Sequence, residues 1–244
     1  MKEFHFHTTY ELAHIIDSSV FGHQEFWNFN EDIFINCSVK FSKFTLLHLY
    51  IIASSLNYYR RYFRKNGDCF DEECYENWKS QFKTYDVLVP PYDFNLEKNP
   101  LEWFDEYSDN FENLFEKMAE EVFHILFNNR NFLLEFNILT SKTIKELLLP
   151  KEFLTEKNTI KRAYIPSWLK KAAFHRDKGR CVYCNTDLTN IYNTITNRNY
   201  DHIVPLDLFG VNDPCNIQLT CERCNKSKKN NKASTSNKYQ PWWD

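Results

Sequence analysis

Apolar positions set the plan of the chain. From Leu101, the residues Phe104, Tyr107, Phe111, Leu114, Met118, Val122 and Leu126 recur every three or four positions. That stripe predicts an amphipathic helix about seven turns long. Its opposite face carries Asp105, Asp109, Glu112, Glu116 and Glu120, which read as a solvated face sooner than as a partner surface. The most apolar stretch is 43–65. Its unbroken run from Phe44 to Ala53 contains His48 and falls short of the roughly 20 residues of a membrane span. A buried helix ending in the basic turn Arg60, Arg61, Arg64 and Lys65 is expected instead. Near the start the period changes to two. Phe4 and Phe6 alternate with His5 and His7, and Ile35, Cys37, Val39 and Phe41 with Asn36, Ser38 and Lys40. Both runs predict strands, with the histidines on a solvated face rather than at a metal. Residues 66–100 predict a short helix and an irregular connection, and 132–148 an apolar segment and a second helix stopped by Pro150. Ser167 is expected to cap a helix through about Asp177. From Ala233 the Ser/Asn/Thr-rich chain predicts a loose tail, with Trp242 and Trp243 able to dock back.

The cysteines change this picture most. Two Cys-x-x-Cys pairs, Cys181/Cys184 and Cys221/Cys224, are separated by 36 residues. Each such turn aims two thiolates at one point, and two turns supply the four sulfur ligands of a closed tetrahedral zinc site. The separation exceeds that of a short zinc ribbon, so more than one tight hairpin lies between them. Disulfides and buried free thiols are the alternatives. The opening MKEFHFHTTY has no charged-then-apolar leader, so an oxidising compartment is not expected and a cytoplasmic location is. Cys69 and Cys74 lack metal spacing and read as ordinary thiols.

Between the cysteine pairs lie Asp201-His202, followed by the apolar run Ile203-Val204-Pro205-Leu206, and Asn216; Asn225 directly follows Cys224. The apolar run predicts a short strand carrying Asp-His to a loop. A hard carboxylate beside a neutral imidazole suits metal-assisted hydrolysis, one holding a divalent cation while the other takes a proton from water.

These residues resemble the HNH endonucleases of the ββα-metal type, in an Asn-ending variant of their pattern. RDKGRCVYC resembles the entry, DHIVPL the first strand, and NIQLTCERCNKSK the second strand and helix. The resemblance spans about residues 166–232. It implies that His202 is the general base, that Asp201 and Asn225 hold the catalytic metal, and that Asn216 braces the loop orienting His202. It further implies products with 5′-phosphate and 3′-hydroxyl ends. Asparagine in the last position favours Mg²⁺ or Mn²⁺ over softer ions. Asn199 stands where the family often has an acid.

Charge then divides the chain. The net charge is −3, but residues 1–160 carry 16 Lys+Arg against 26 Asp+Glu, and residues 161–244 carry 14 against 7. Only the second part is expected to meet a polyanion. Lys170, Lys171, Arg176 and Lys178 precede the cysteine frame, and Lys226, Lys228, Lys229 and Lys232 follow it. They would grip phosphates without reading bases.

The expected fold is α+β. A mainly helical domain with a few strands at 1–160 would sense a signal, dock a partner or recognise a target. A ββα-metal domain with structural zinc at 161–232 and the tail 233–244 would follow. The expected function is a DNA endonuclease in restriction or phage defence. A partner protein such as an ATPase, and a homodimer, are its candidate companions. The alternatives are a catalytically silent zinc-knuckle binding module, a subunit active only with its partner, and a scaffold built on the acidic helix.

Overall fold

The computed structural model describes residues 3–22, 31–96, 99–190 and 197–239. In order its elements are α1 (Thr9–Phe21), α2 (Glu31–Val39), α3 (Leu46–Asn66), α4 (Glu72–Thr84), α5 (Pro100–Glu106), α6 (Ser108–Leu126), α7 (Arg130–Glu146), α8 (Ser167–Arg176), β1 (Arg198–His202), β2 (Ile217–Cys221) and α9 (Glu222–Lys228). The chain is mostly helical, with one small antiparallel sheet among the described residues. None of the described helices is long and apolar enough to cross a membrane. Trp242 and Trp243 lie outside the described residues.

Contacts divide the chain into two compact units. Among described residues the first takes in 3–19 and 47–125, and the second 20–22, 31–46, 126–190 and 197–239. This division differs from a boundary at residue 160.

The first unit is built on aromatic rings. Phe63, Trp103, Phe104, Phe111 and Phe115 are buried, and Phe104 and Phe111 meet at 4.5 Å between ring centroids. The stripe from Leu101 is apolar as expected but breaks at Tyr107, which caps α5 before α6 begins. Asp105, Asp109, Glu112 and Glu116 are exposed and Glu120 half-buried, as a solvated face requires. The expected strand at 4–7 is absent. Those residues cross to Glu121 instead, a buried carboxylate on α6 that the helical pattern did not reveal. Its Oε1 accepts from the His5 N–H at 2.7 Å. Its Oε2 accepts from the Phe6 N–H at 2.9 Å, the Thr9 hydroxyl at 2.7 Å and the Tyr85 hydroxyl at 2.8 Å.

Burial alone would raise the pKa of Glu121, but these donors bring it below the usual value. Both oxygens face donors only, so Glu121→Gln must turn an NH₂ group against one of them. The expected loss is about 1.5–3 kcal/mol at neutral pH, read from urea unfolding. A lowered folded pKa gives stability that is present above the unfolded value of about 4.5 and lost as pH falls through the folded one. Glu121→Gln should remove that part of the acid dependence.

In the second unit the residues expected as a strand at 35–41 form α2. Phe34, Cys37, Ser38 and Val39 are its buried positions, and the first three are a helical i, i+3, i+4 set that the alternation of Ile35, Cys37 and Val39 conceals. Glu31 and Asp32 occupy its first turn, where the helix dipole favours acids. Residues 130–146 form one helix, capped by Asn129, whose side chain accepts from the Phe132 N–H at 3.1 Å. Ser167 is the first residue of α8 rather than its cap, a place taken by Pro166. The tail is not loose over its described part. Ser234 donates its N–H to Ile203 at 3.1 Å, and the Tyr239 hydroxyl accepts the Arg130 N–H at 2.9 Å.

Candidate active site

The sheet pairs β1 with β2 so that His202 faces Ile217 and Asp201 faces Gln218. The strand therefore ends on the Asp-His pair, and the apolar run Ile203–Leu206 leaves it, contrary to the strand expected there. Val204 and Leu206 are buried instead under a loop returning to β2. α9 packs across both strands.

The four cysteines meet. The sulfurs of Cys181, Cys184, Cys221 and Cys224 all lie within 4.8 Å of one another, and Cys184 and Cys221 are 3.7 Å apart. Four thiolates about 2.3 Å from one zinc lie about 3.8 Å from each other, so the cluster has the dimensions zinc requires. A positive-φ turn at Gly179 precedes it, where a Cβ would approach the Phe174 and Thr189 side chains to 2.8 Å. Burial raises the pKa of Cys184, but bonds from Thr186 and neighbouring thiols bring it down to about 6. Burial and the sulfurs of Cys221 and Cys184 push Cys224 up. Four thiols crowded at one point ionise together only around a cation.

The loop from 203 to 216 is held from inside by Asn216, which is fully buried. Its Oδ1 accepts from the Val204 N–H at 2.8 Å, and its Nδ2 donates to Val204 and Val211 carbonyls at 3.0 and 2.9 Å. Gly210 lets the loop close, since a Cβ there would meet the Val204 oxygen at 2.0 Å. Asn216→Ala strands three buried backbone groups, and a loss of about 3 kcal/mol is expected, measurable as a lower urea midpoint of the second unit.

Two neighbours of Asn216 were missed in the sequence. Asn212 donates to the Val39 and Lys161 carbonyls at 3.0 and 2.8 Å. Asp213 accepts from the Leu46 and Cys215 N–H groups, each at 2.8 Å. Burial lifts the pKa of Asp213 to about 6 against those two donors. The Asn-Asp-Pro triplet was the signal available, an acid cap followed by proline at the first turn of a helix. Its long-range partners carry no local mark.

Asp201 is 13% exposed and ion-paired with Lys228 at 2.9 Å, whose side chain is 3% exposed. Gln218 donates to the same oxygen at 2.9 Å. Lys228 also donates to the His202 carbonyl, and burial lowers its pKa against the pull of Asp201. Asn225, half-buried on α9, stands three residues before Lys228 and so on the same helix face.

His202 is sealed. It is 2% exposed, with the Phe41 ring 6.4 Å away; Phe41 also packs on Leu169, Ala173 and Ile217. Neither ring nitrogen has a hydrogen-bond partner among the described residues. Burial first, then the charges of Arg162 and Lys228, push its pKa down to about 3, with the Asn212 side chain opposing. The imidazole is neutral at physiological pH.

The basic residues divide in two. Lys171, Lys178, Lys226, Lys229 and Lys232 are exposed and Lys170 is half-buried. Lys170 lies over the Tyr164 ring at 5.0 Å. Arg176 and Lys228 are turned inward rather than lying on the open surface. Arg176 is 2% exposed and paired with Asp177 at 2.9 Å.

Residues 181–231 match the family model described as HNH endonuclease. No curated protein and no solved structure matches the chain. The matched segment holds the four thiols, the Asp-His pair, Asn216 and Asn225, and residues 181–231 of this chain are an HNH endonuclease domain.

Proposed function

We propose that the protein is a metal-dependent endonuclease that hydrolyses phosphodiester bonds of DNA, and that the described conformation is its silent one. The observation that carries this reading is Asp201-His202 at the end of β1, inside the four-thiol frame, with Asn225 one helical turn before the Lys228 that pairs with Asp201. Zinc on the four cysteines holds the ends together and does no chemistry.

The residues suit a hard catalytic cation. Asp201 and Asn225 offer oxygen donors, and the Lys228 ammonium already places a positive charge against Asp201. A cation there would share Asp201 with Lys228 or displace it. Mg²⁺ or Mn²⁺ on Asp201 and Asn225 would neutralise charge developing on the phosphate and the leaving 3′ oxygen. His202 accepts the proton of the attacking water, leaving a 5′-phosphate. Asn216 fixes the loop that sets the ring's position. Lys170, Lys171, Lys178, Lys226, Lys229 and Lys232 would hold the DNA backbone.

A base must touch the water it deprotonates, and His202 is covered. This favours the reading in which the nuclease awaits a partner, such as an ATPase or a second copy, that draws Phe41 aside. A restriction or phage-defence effector that stays silent until triggered, working in the cytoplasm, fits that behaviour. Supercoiled plasmid incubated with Mg²⁺ tests it. Phe41→Ala is expected to nick on the order of tenfold faster than the wild type, and EDTA to stop both. If both proteins hold zinc and bind plasmid but neither nicks it, uncovering His202 at Phe41 does not release activity, and the silent binding module and the partner-dependent subunit both stand.

A further inference from the structure

A second site lies among basic residues of which the catalytic reading uses only Lys178. Arg130, Arg176, Asp177, Lys178, Arg180 and Lys238 line a small cavity of about 30 Å³ beside Cys181. Five cations face one carboxylate, and that carboxylate is already engaged. Asp177 takes the Nε and Nη2 of Arg176 at 3.0 and 2.9 Å and the Leu219 N–H at 2.9 Å.

The two innermost arginines each keep a donor unmet. Arg176 spends Nη2 a second time on the Ile217 carbonyl at 2.7 Å, yet its Nη1 is buried without a partner among the described residues. Arg130 is 5% exposed and gives Nη2 to the Lys238 carbonyl, yet its Nε is likewise buried and unpaired. A buried charged N–H without an acceptor carries its full desolvation cost. Both guanidinium groups are also held in place by rings. Arg130 lies over Tyr239 at 4.1 Å and Arg176 over Phe127 at 4.8 Å. Arg130 opens the 17-residue helix α7, so the positive end of its dipole adds to the field.

We infer that this cavity is a binding site for a phosphate group. Two unpaired donors from different arginines suit two oxygens of one tetrahedral anion. A cavity of this size has room for about two oxygen-sized atoms. The phosphate enters with those two, and its remaining oxygens stay at the mouth among Lys178, Arg180 and Lys238. The group belongs either to a nucleic-acid backbone or to a free phosphate or phosphomonoester. The inference stands apart from catalysis, since the cavity shares no residue with Asp201, His202 or Asn225.

The test uses the full zinc-loaded chain. Thermal unfolding is followed against sodium phosphate, with sodium chloride at matched ionic strength as reference. A saturable rise in Tm specific to phosphate is expected, and Arg130→Met should weaken the apparent affinity at least tenfold. Should Arg130→Met fold poorly, Lys238→Gln at the exposed mouth should weaken it about threefold. A duplex oligonucleotide with 5′-hydroxyl ends separates the sources. If phosphate displaces the duplex and the variants lose both ligands, the site holds the backbone. If duplex binding ignores phosphate and the variants while phosphate binding falls, the site takes the free anion. A Tm that rises no more with phosphate than with chloride overturns the inference. So does a phosphate affinity that neither variant changes, in which case waters fill the cavity.

Discussion

Stripping zinc from the four-cysteine cluster is expected to unfold the sheet and α9 outright. Structural zinc contributes apparent binding energies of about 10–16 kcal/mol at neutral pH, more than the whole stability of most domains. β1 and β2 are each only five residues long. The buried cluster around the frame consists of Cys181, Cys221, Leu188 and Leu219, with Cys184, Cys224, Phe174, Tyr183 and Tyr200 packed on it. Remove the cation and the thiols repel or protonate, and four of the nine residues of the cluster that seats β2 are driven apart. Hydrogen exchange of the β2 amides before and after chelation measures this. Leu219 and Thr220 should go from protected to exchanging freely, while α6 in the other unit keeps its protection. Continued protection of Leu219 with the metal gone would mean that apolar packing, not zinc, carries the sheet.

Replacing His202 with alanine in the Phe41→Ala protein is expected to lower plasmid nicking by about 10²- to 10⁴-fold, the range a general base contributes. The fold should tolerate the change. The lost ring leaves a cavity, but it also takes away two buried nitrogens that have no partner, and the two effects oppose. Unchanged zinc content and an unchanged urea midpoint would thus accompany the lost activity. A double variant that nicks as fast as Phe41→Ala would exclude His202 as the base.

The legible parts of the sequence were those whose physics is local. A Cys-x-x-Cys turn places two sulfurs by its own geometry, so two pairs announced a cluster that the fold then assembles. The helical stripe of α6 was equally plain, because Phe111, Leu114, Met118, Val122 and Leu126 share one face. The strand at 35–41 failed for a related reason: seven alternating residues fit period two as well as a helix, and burial of Phe34, Cys37 and Ser38 decided for the helix. Charge misled where the surroundings lay far along the chain. Nothing near Lys228 marks it as the partner of Asp201, and although Arg176 pairs with its neighbour Asp177, the Ile217 carbonyl and Phe127 ring it also meets are 41 and 49 positions away. Phe41 is 161 positions from the imidazole it lies beside, and no pattern within either segment records the approach.

The stitching of Asn212 and Asp213 to Ser38, Val39 and Leu46 bears on how the C-terminal segment can be handled. The loop that follows His202 is tied to backbone more than 160 positions upstream. A fragment beginning at 161 would leave the fully buried Asp213 carboxylate without its Leu46 donor and Asn212 without Val39. Residues 161–244 expressed alone should therefore yield insoluble protein.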